Sequence, residues 1–164
     1  MKRLVLAVLA LAAAPALAQT STWKIDPAHA HASFTVRHLV ITNVRGEFGK
    51  TEGMLTLDEG DVTRSKVEAT IDVSSIDTRE EKRDAHLKSP DFFDVAKYPK
   101  MTFRSTKVEK AGDGRLKVTG DLTLRGVTKS VVLDVSGPTK EIKDPWGNAR
   151  RGVSVTGAIN RQDF

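Results

Sequence analysis

Alternation of apolar and polar residues with a period of two is the feature that most constrains the fold of this chain. The clearest run is 66–73, in which Val67, Ala69, Ile71 and Val73 alternate with charged or hydroxyl-bearing residues. Successive side chains of a strand point to opposite faces, so this pattern predicts a strand with one apolar face. Similar or shorter strand-like runs occur at 32–38, 44–50, 54–58, 101–107, 115–124, 130–135 and 153–160.

Short turn signals separate these strands. Gly112-Asp113-Gly114 suits a tight hairpin because glycine tolerates positive φ, and Arg125-Gly126 and Gly137-Pro138 mark further breaks. Closely spaced strands joined by short turns predict antiparallel pairing in a sandwich or a barrel. No repeat, low-complexity tract or linker divides the chain, so we expect one all-β domain.

Residues 77–99 interrupt the strands. Thr78 followed by Glu81 reads as a capping box for a helix over 79–87, and Ser89-Pro90 ends it. The excursion is long for a hairpin, so it is expected to cover part of the sheet, such as the mouth of a barrel. Phe92 and Phe93 follow the helix and point in opposite directions if extended, so at least one of them is expected to pack onto the strands.

The first eighteen residues have the three parts of a secretory signal peptide. Lys2 and Arg3 precede the apolar run 4–13, and Ala16-Leu17-Ala18 supplies an A-x-A cleavage site. The run reaches membrane-spanning length only if it is counted through Pro15. We therefore expect residues 1–18 to be a cleaved signal peptide, residues 19–164 to be the mature domain, and the protein to be periplasmic.

Charge and composition exclude several classes of function. The chain has no cysteine, which excludes disulfides, thiolate metal sites and a cysteine nucleophile. The formal net charge of +5 falls by two when Lys2 and Arg3 are removed, and no run of Lys and Arg indicates nucleic-acid binding. Export also argues against enzymes that use ATP or nicotinamide, and no cofactor is expected.

Two histidines raise a metal-dependent alternative. His29 and His31 would lie on one face of an extended segment, and a metal site would need a third ligand such as His38, His86 or Asp26. Surface histidines are the more common explanation of such a pair. No G-x-S-x-G nucleophile elbow is present, so an enzyme is disfavoured, and a hydrolase centred on His29, His31 and His86 stays as the alternative function.

Several cations are candidates for contact with an anionic head group. Arginine binds phosphate through two nitrogens, and a site at a barrel mouth would need one or two such residues. Solvent exposure is the simpler reading of each cation taken alone. The head-group candidates are Arg37, Arg45, Arg83 and His86, with Lys88 considered beside them.

Six ordered blocks carry a resemblance to a known family. They are Asp26-Pro27-Ala28-His29, Phe34-Thr35-Val36-Arg37-His38-Leu39, Val44-Arg45-Gly46-Glu47-Phe48, the stretch from Arg83 to Asp94 (RDAHLKSPDFFD), the stretch from Tyr98 to Ser105 (YPKMTFRS) and the stretch from Gly120 to Lys129 (GDLTLRGVTK). The chain resembles the YceI-like family of periplasmic polyisoprenoid-binding proteins over essentially all of residues 19–164.

The resemblance implies a fold and a ligand class. It implies an extended, lipocalin-like antiparallel β-barrel of about eight strands with a short helical cover. It also implies non-catalytic binding and transport of a long isoprenoid lipid, such as a polyprenyl pyrophosphate or an isoprenoid quinone, although some relatives bind other long-chain amphiphiles. Members usually continue past the block that ends at Phe164, so we expect closing strands to be missing through truncation or to come from a second chain in a homodimer.

Alternation supplies the candidate ligand-binding residues. Each buried CH₂ contributes about 0.8 kcal/mol, so affinity is expected to come from the lipid tail and direction from polar residues at the mouth. Sequence leaves open whether these side chains line a hollow channel or fill a core. The apolar candidates are Phe34, Val36, Phe48, Ile71, Val73, Phe92, Met101, Phe103, Leu122, Leu124, Val131, Leu133, Val153 and Val155.

Overall fold

The computed structural model describes residues 19–164. The expected signal peptide, residues 1–18, lies outside the described residues. In the described part, the regular structure consists of twelve strands, one α-helix and three short 3-10 helices. The strands are β1 (Thr20–Lys24), β2 (Ala32–His38), β3 (Thr42–Phe48), β4 (Thr51–Asp58), β5 (Lys66–Asp72), β6 (Ile76–Asp77), β7 (Lys100–Lys110), β8 (Arg115–Leu124), β9 (Val127–Ser136), β10 (Ile142–Lys143), β11 (Ala149–Arg150) and β12 (Ser154–Thr156).

Most strands belong to one strongly curled antiparallel sheet. Its seven strands run in the order β1-β4-β5-β7-β8-β9-β12, and together they form a half-barrel. Strands β2, β3 and β6 form a second sheet, and β10 and β11 form a two-stranded ribbon. This architecture confirms the all-β, lipocalin-like antiparallel class. The seven strands of the main sheet lie side by side in the order in which they occur in the chain.

Two glycine-containing turns set the register of the longest strands. Gly112 and Gly114, between β7 and β8, have φ of 120° and 66°. Arg125 and Gly126, between β8 and β9, have φ of 51° and 76°, which is the two-residue hairpin turn that matches strand twist. These turns hold β7, β8 and β9 in a continuous ladder, apart from one bulge between Ser105 and Lys107.

The helix α1 spans Glu81–Lys88, and its first cap differs from the expected capping box. Glu80 is the N-cap, and its carboxylate accepts hydrogen bonds from the backbone N–H groups of Lys82 and Arg83. Thr78 is instead buried, and its hydroxyl donates to Asp84. The capping-box interpretation was therefore wrong in detail, because Glu80 caps the helix while Thr78 bonds to the side chains of Asp84 and Arg83 in its first turn.

Helix α1 and the segment after it cover one end of the half-barrel. Phe48, Val73 and Ile76 form a buried cluster there, with Leu87, Phe93 and Val95 of the cover packed against it. The Phe48 and Phe93 rings lie 5.9 Å apart in an edge-to-face arrangement. The expectation that one of the two adjacent phenylalanines packs onto the strands is confirmed for Phe93.

A second buried cluster fills the opposite end of the main sheet. Its centre is Val108, Leu116 and Val118 of β7 and β8, and Val62 of the 3-10 helix Val62–Arg64 packs against it. Phe103 also contacts this cluster. The apolar face of the sheet is therefore packed at both ends.

Candidate functional site

Six of the fourteen predicted apolar residues lie together on the inner face of the main sheet. Phe103 lies opposite Leu122, and Leu133 lies opposite the buried Val118, so these side chains share one face. Val155 lies opposite Val135 on the same face. We call this surface the trough, formed by Phe103, Leu122, Val131, Leu133 and Val155. We include Val153, which precedes β12 and lies two residues before Val155 in the chain.

The trough is apolar but partly open to solvent. Val153 and Val155, at the edge of the sheet, are 48% and 53% exposed. Leu133, Leu122 and Phe103 are half-buried. An apolar surface of this kind in water is typical of a ligand-binding or interaction site rather than a closed core.

Gly120 determines the shape of the trough floor. A Cβ atom at this position would collide with the ring of Phe103 and would lie 2.5 Å from the carbonyl oxygen of Arg104. The Phe103 ring therefore lies across β8 directly above the Gly120 backbone. A glycine here lets the tip of the aromatic ring occupy the place that a Cβ atom would take.

One cation on the inner face was missed by sequence reasoning. Lys129 of β9 lies opposite Leu122 in the register and shares its face with Val131 and Leu133. Its side chain is exposed, near the turn that joins β8 to β9. The alternation pattern could have identified it, because Lys129 is two residues before Val131 and therefore points to the same face of the strand.

The other predicted apolar residues lie outside the trough. Phe34, Ile71 and Met101 pack against the cluster around Phe48 and Val73, and the Phe34 and Phe48 rings are 5.6 Å apart. These five residues join the main sheet to the second sheet and the helical cover. They are part of the packed core in this structure, and Leu124 is also buried.

Val36 and Phe92 lie at the surface rather than with either group. Val36 is 48% exposed on the hairpin formed by β2 and β3. The Phe92 ring contacts His86 at a centroid distance of 4.9 Å and lies 5.3 Å from the guanidinium of Arg161.

Local partners occupy most of the predicted head-group residues. Arg83 donates from Nε and Nη2 to the hydroxyl and carbonyl oxygens of Thr78, both at 2.7 Å. Arg37 donates in the same way to the carbonyl oxygen of Val40, at 3.2 and 2.9 Å. The structure thus uses these guanidinium groups to hold backbone rather than to form one anion site.

His86 and Arg45 complete the head-group set. Nε2 of His86 lies 3.4 Å from a carboxylate oxygen of Asp91, and both side chains are largely exposed. Arg45 is exposed on β3, opposite Thr35. Neither residue lies in the main sheet that forms the trough.

The histidine pair does not form a ligand cluster. His29 is bonded through Nδ1 to Asp26 at 3.0 Å, and this hydrogen bond is the main reason that the pKa of Asp26 is lowered. Arg150 also contacts the Asp26 carboxylate at 3.0 Å. Across residues 19–164 there is no group of three or more His, Cys, Asp or Glu side chains arranged to hold a metal ion.

Arg151 links the two sides of the curled sheet. It follows the ribbon of β10 and β11, and Nη2 donates to the Glu59 carboxylate at 3.1 Å. Its guanidinium also lies 5.0 Å from the Trp23 ring of β1, and Nη1 donates to the carbonyl oxygen of Thr139 at 3.3 Å. The ribbon therefore connects the β9 side of the sheet to its β1 edge, beside the trough residue Val153.

Within residues 19–164, no α-helix combines the length and the apolar character needed to cross a bilayer.

The curled antiparallel sheet, its helical cover and its apolar inner face define a lipocalin-like β protein. The chain belongs to the YceI-like family, whose domain matches residues 23–164. It is 43% identical over 149 residues to Protein YceI of Escherichia coli O157:H7, covering 90% of this chain and 77% of that protein. It is 42% identical over 156 residues to a UPF0312 protein of Photorhabdus laumondii, covering 95% of this chain and 80% of that protein.

Solved structures show the same fold. The Campylobacter jejuni YCEI protein is 38% identical, with a TM-score of 0.68, and the match covers 85% of this chain and 81% of that one. Burkholderia cenocepacia BcnA is 24% identical, with a TM-score of 0.73, and the match covers 85% and 83%.

Proposed function

We propose that the protein is a non-catalytic periplasmic carrier that holds a long-chain isoprenoid lipid, a polyprenyl pyrophosphate or an isoprenoid quinone, in the trough. The observation that carries the proposal is the trough itself, a continuous apolar strip on the inner face of the curled sheet. Family membership supports the same ligand class, since the resemblance implies isoprenoid binding. A carrier needs only to bury the lipid tail, so this role requires no reacting group.

The dimensions of the main sheet suit an elongated tail. Strands β8 and β9 each have ten residues. At about 3.3 Å per residue and a tilt of about 40°, such strands give a wall roughly 25 Å high. Each buried CH₂ contributes about 0.8 kcal/mol, so several isoprene units together outweigh any single polar contact.

Lys129 suits the polar end of such a ligand. Its ammonium group lies on the inner face, at the end of the strip where β9 begins. A diphosphate would gain a charge-assisted contact there, and a quinone would gain a hydrogen-bond donor. In this proposal the head-group residue is Lys129 rather than Arg37 or Arg83. The guanidinium groups of those two arginines donate to Val40 and Thr78.

The expected signal peptide supports the periplasmic location in this proposal. A signal peptide over residues 1–18 would deliver the chain across the inner membrane, and a chain without cysteine is insensitive to oxidising conditions. A lipid that must move through an aqueous compartment needs a soluble protein to cover its tail.

The test is recovery of lipid from the purified protein. Protein isolated from the periplasm is extracted with organic solvent, and the extract is analysed by mass spectrometry alongside metal analysis of the protein. We expect stoichiometric long-chain isoprenoid lipid. Stoichiometric zinc or copper without lipid would overturn the proposal in favour of the histidine-centred hydrolase.

Two valines provide matched variants. Val155 is 53% exposed on the inner face, and Val132 is 51% exposed on the opposite face of β9. Val155→Glu should greatly reduce the recovered lipid because it places a charge against the tail, whereas Val132→Glu should leave recovery unchanged. Equal recovery from the two variants would show that the trough is not the binding surface.

A further inference from the structure

The hairpin formed by β2 and β3 ends in three exposed aliphatic residues. Leu39, Val40 and Ile41 are 71%, 80% and 80% exposed. Three consecutive large aliphatic side chains in water are unfavourable, because each loses the transfer free energy that burial would provide. Hairpin tips are ordinarily polar, so this tip calls for a partner that covers it.

The tip is held in one conformation. Leu39 and Val40 have φ of 50° and 60°, a left-handed conformation that a β-branched residue such as valine rarely adopts. The paired hydrogen bonds from Arg37 to the Val40 carbonyl fix the turn, and the Ile41 N–H donates to the His38 carbonyl at 3.0 Å. The hairpin therefore presents its aliphatic side chains outward in a preformed arrangement.

The hairpin also projects from the rest of the protein. Strand β3 pairs with β6 only at Glu47 and Phe48, whereas it pairs with β2 over its whole length. Beyond that base, the outer half of the hairpin has no third strand beside it. The tip is thus free to reach a surface without clashes from the main sheet.

The charge of this segment is of one sign. No Asp or Glu occurs between Asp26 and Glu47, whereas Arg37 and Arg45 lie on the same face of the hairpin, with one residue pair between them in the register. A basic hairpin with an aliphatic tip complements a partner that has anionic groups at its surface and an apolar layer directly beneath them. A protein partner would need an anionic rim around a hydrophobic pocket, whereas an anionic lipid surface offers both properties everywhere.

We infer that the β2–β3 hairpin docks the protein on an anionic lipid bilayer, with Leu39, Val40 and Ile41 inserted among the acyl chains and the arginines at the head groups. The inner-facing side of the same hairpin carries Val36 and Val44, which continue toward the core residue Phe34. Docking in this way would bring the apolar surfaces of the protein next to the membrane, from which, on the proposed function, a lipid would be taken up.

A single cysteine reports on insertion directly. The chain has no cysteine, so Val40→Cys can be labelled with an environment-sensitive fluorophore at one position only. Val132→Cys, on the outer face of β9, provides the matched control. With vesicles of phosphatidylcholine and phosphatidylglycerol, we expect a blue shift from the label at position 40 and none from the label at 132. Unchanged emission at position 40 would overturn the inference.

Binding of unlabelled protein provides the second measurement. The triple variant Leu39→Ser, Val40→Ser, Ile41→Ser should bind the same vesicles at least about tenfold more weakly in co-sedimentation, because three aliphatic side chains no longer partition into the bilayer. A matched variant replaces the exposed Val132, Ile142 and Ile159 by serine and should bind like the unmodified protein. Circular dichroism confirms that both variants fold.

Charge is tested by one further pair of variants. Arg45→Gln should weaken binding to anionic vesicles about fivefold, since each basic residue near such a surface contributes about 1 kcal/mol. Arg104→Gln removes the same charge from the main sheet, outside the hairpin, and should have little effect. Equal weakening by both variants would indicate diffuse attraction and overturn the specific role of the hairpin.

A second copy of this chain is the competing occupant of the tip. Sedimentation velocity without vesicles tests it: if the triple serine variant converts a dimer to a monomer and vesicle binding does not depend on the tip, the inference is wrong. The outcome is separable from the proposed function, because vesicle docking is measured without cargo, and lipid recovery from the trough is measured without vesicles.

Discussion

Replacement of Arg151 by methionine should loosen the connection between the two sides of the curled sheet. Arg151 is only 17% exposed, and it contacts Glu59, Trp23 and Thr139, which belong to different parts of the fold. Methionine keeps most of the apolar stem and removes the guanidinium. The expected effect is therefore loss of polar contacts rather than creation of a cavity.

The magnitude can be worked from these contacts. Hydrogen bonds to a charged group contribute about 1.5–3 kcal/mol, and a cation–π contact at a partly exposed site adds about 0.5–1 kcal/mol. Glu59 is 31% exposed and regains water once Arg151 is removed, which offsets part of this sum. We expect a net loss of about 2 kcal/mol in the free energy of unfolding.

Urea denaturation measures this loss. With a slope of about 1.5 kcal/mol per molar, the midpoint should fall by roughly 1 M. A double-mutant cycle with Glu59→Gln should give a coupling of about 1 kcal/mol. Arg104→Met is the control, because Arg104 and Glu68 form an ion pair in which the side chains are 78% and 63% exposed. That variant should change stability by less than about 0.5 kcal/mol.

The reasoning would be refuted by an Arg151→Met variant as stable as the Arg104→Met control. Such a result would mean that the contacts of Arg151 contribute nothing to holding the β1 edge. A large loss without coupling to Glu59 would instead assign the effect to the contacts with Trp23 and Thr139.

Two further predictions concern the cover and the ribbon. Phe93→Ala should lower the free energy of unfolding by about 2–3 kcal/mol, because the Phe93 ring packs against Phe48. Phe92→Ala should lower it by less than about 1 kcal/mol. Thermal denaturation of both variants measures the difference. Hydrogen bonds from Asn148 lower the pKa of Asp144 to about 2 from its ordinary 3.8, so the carboxylate stabilises the ribbon turn above about pH 4 and this stabilisation is lost as the pH falls toward 2. The protection of the turn amides, measured relative to intrinsic exchange at each pH, should fall over that range in the unmodified protein, and Asp144→Asn should abolish this dependence.

Local signals predicted most of the long strands and their turns, but they missed β1, and the run predicted at 153–160 is a strand only over Ser154–Thr156. The alternation at 115–124 corresponds to β8, Arg115–Leu124, and the Arg125-Gly126 break is a two-residue hairpin turn. These features depend on residues that are close in sequence, so a pattern of a few residues contains the information. The helix also ends at Ser89 as expected. The helix starts at Glu81 rather than at residue 79 because Glu80, not Thr78, accepts the first backbone N–H groups.

The sequence predicted which residues are apolar, but not which of them lie in the trough and which lie in the core. The inner-face residues Leu133 and Val155 and the core residues Phe48 and Val73 all appear in the sequence as apolar members of alternating runs. The strand register and the helical cover determine which of these residues are buried: Val73 is 1% exposed, whereas Val155 is 53% exposed. The same limitation applies to Arg37 and Arg83, whose partners lie in loops that no periodicity describes.

The amino-acid sequence by itself determined that this chain is an antiparallel β protein, which side chains share a face of each strand, and that it belongs among YceI-like proteins. Only the tertiary structure decided which apolar faces are covered by helix α1 and the second sheet, which stay open as the trough, and that an aliphatic hairpin tip stands in solvent. The physical reason is that alternation fixes the direction of a side chain within its own strand, whereas curvature and contacts between distant segments fix what that side chain meets.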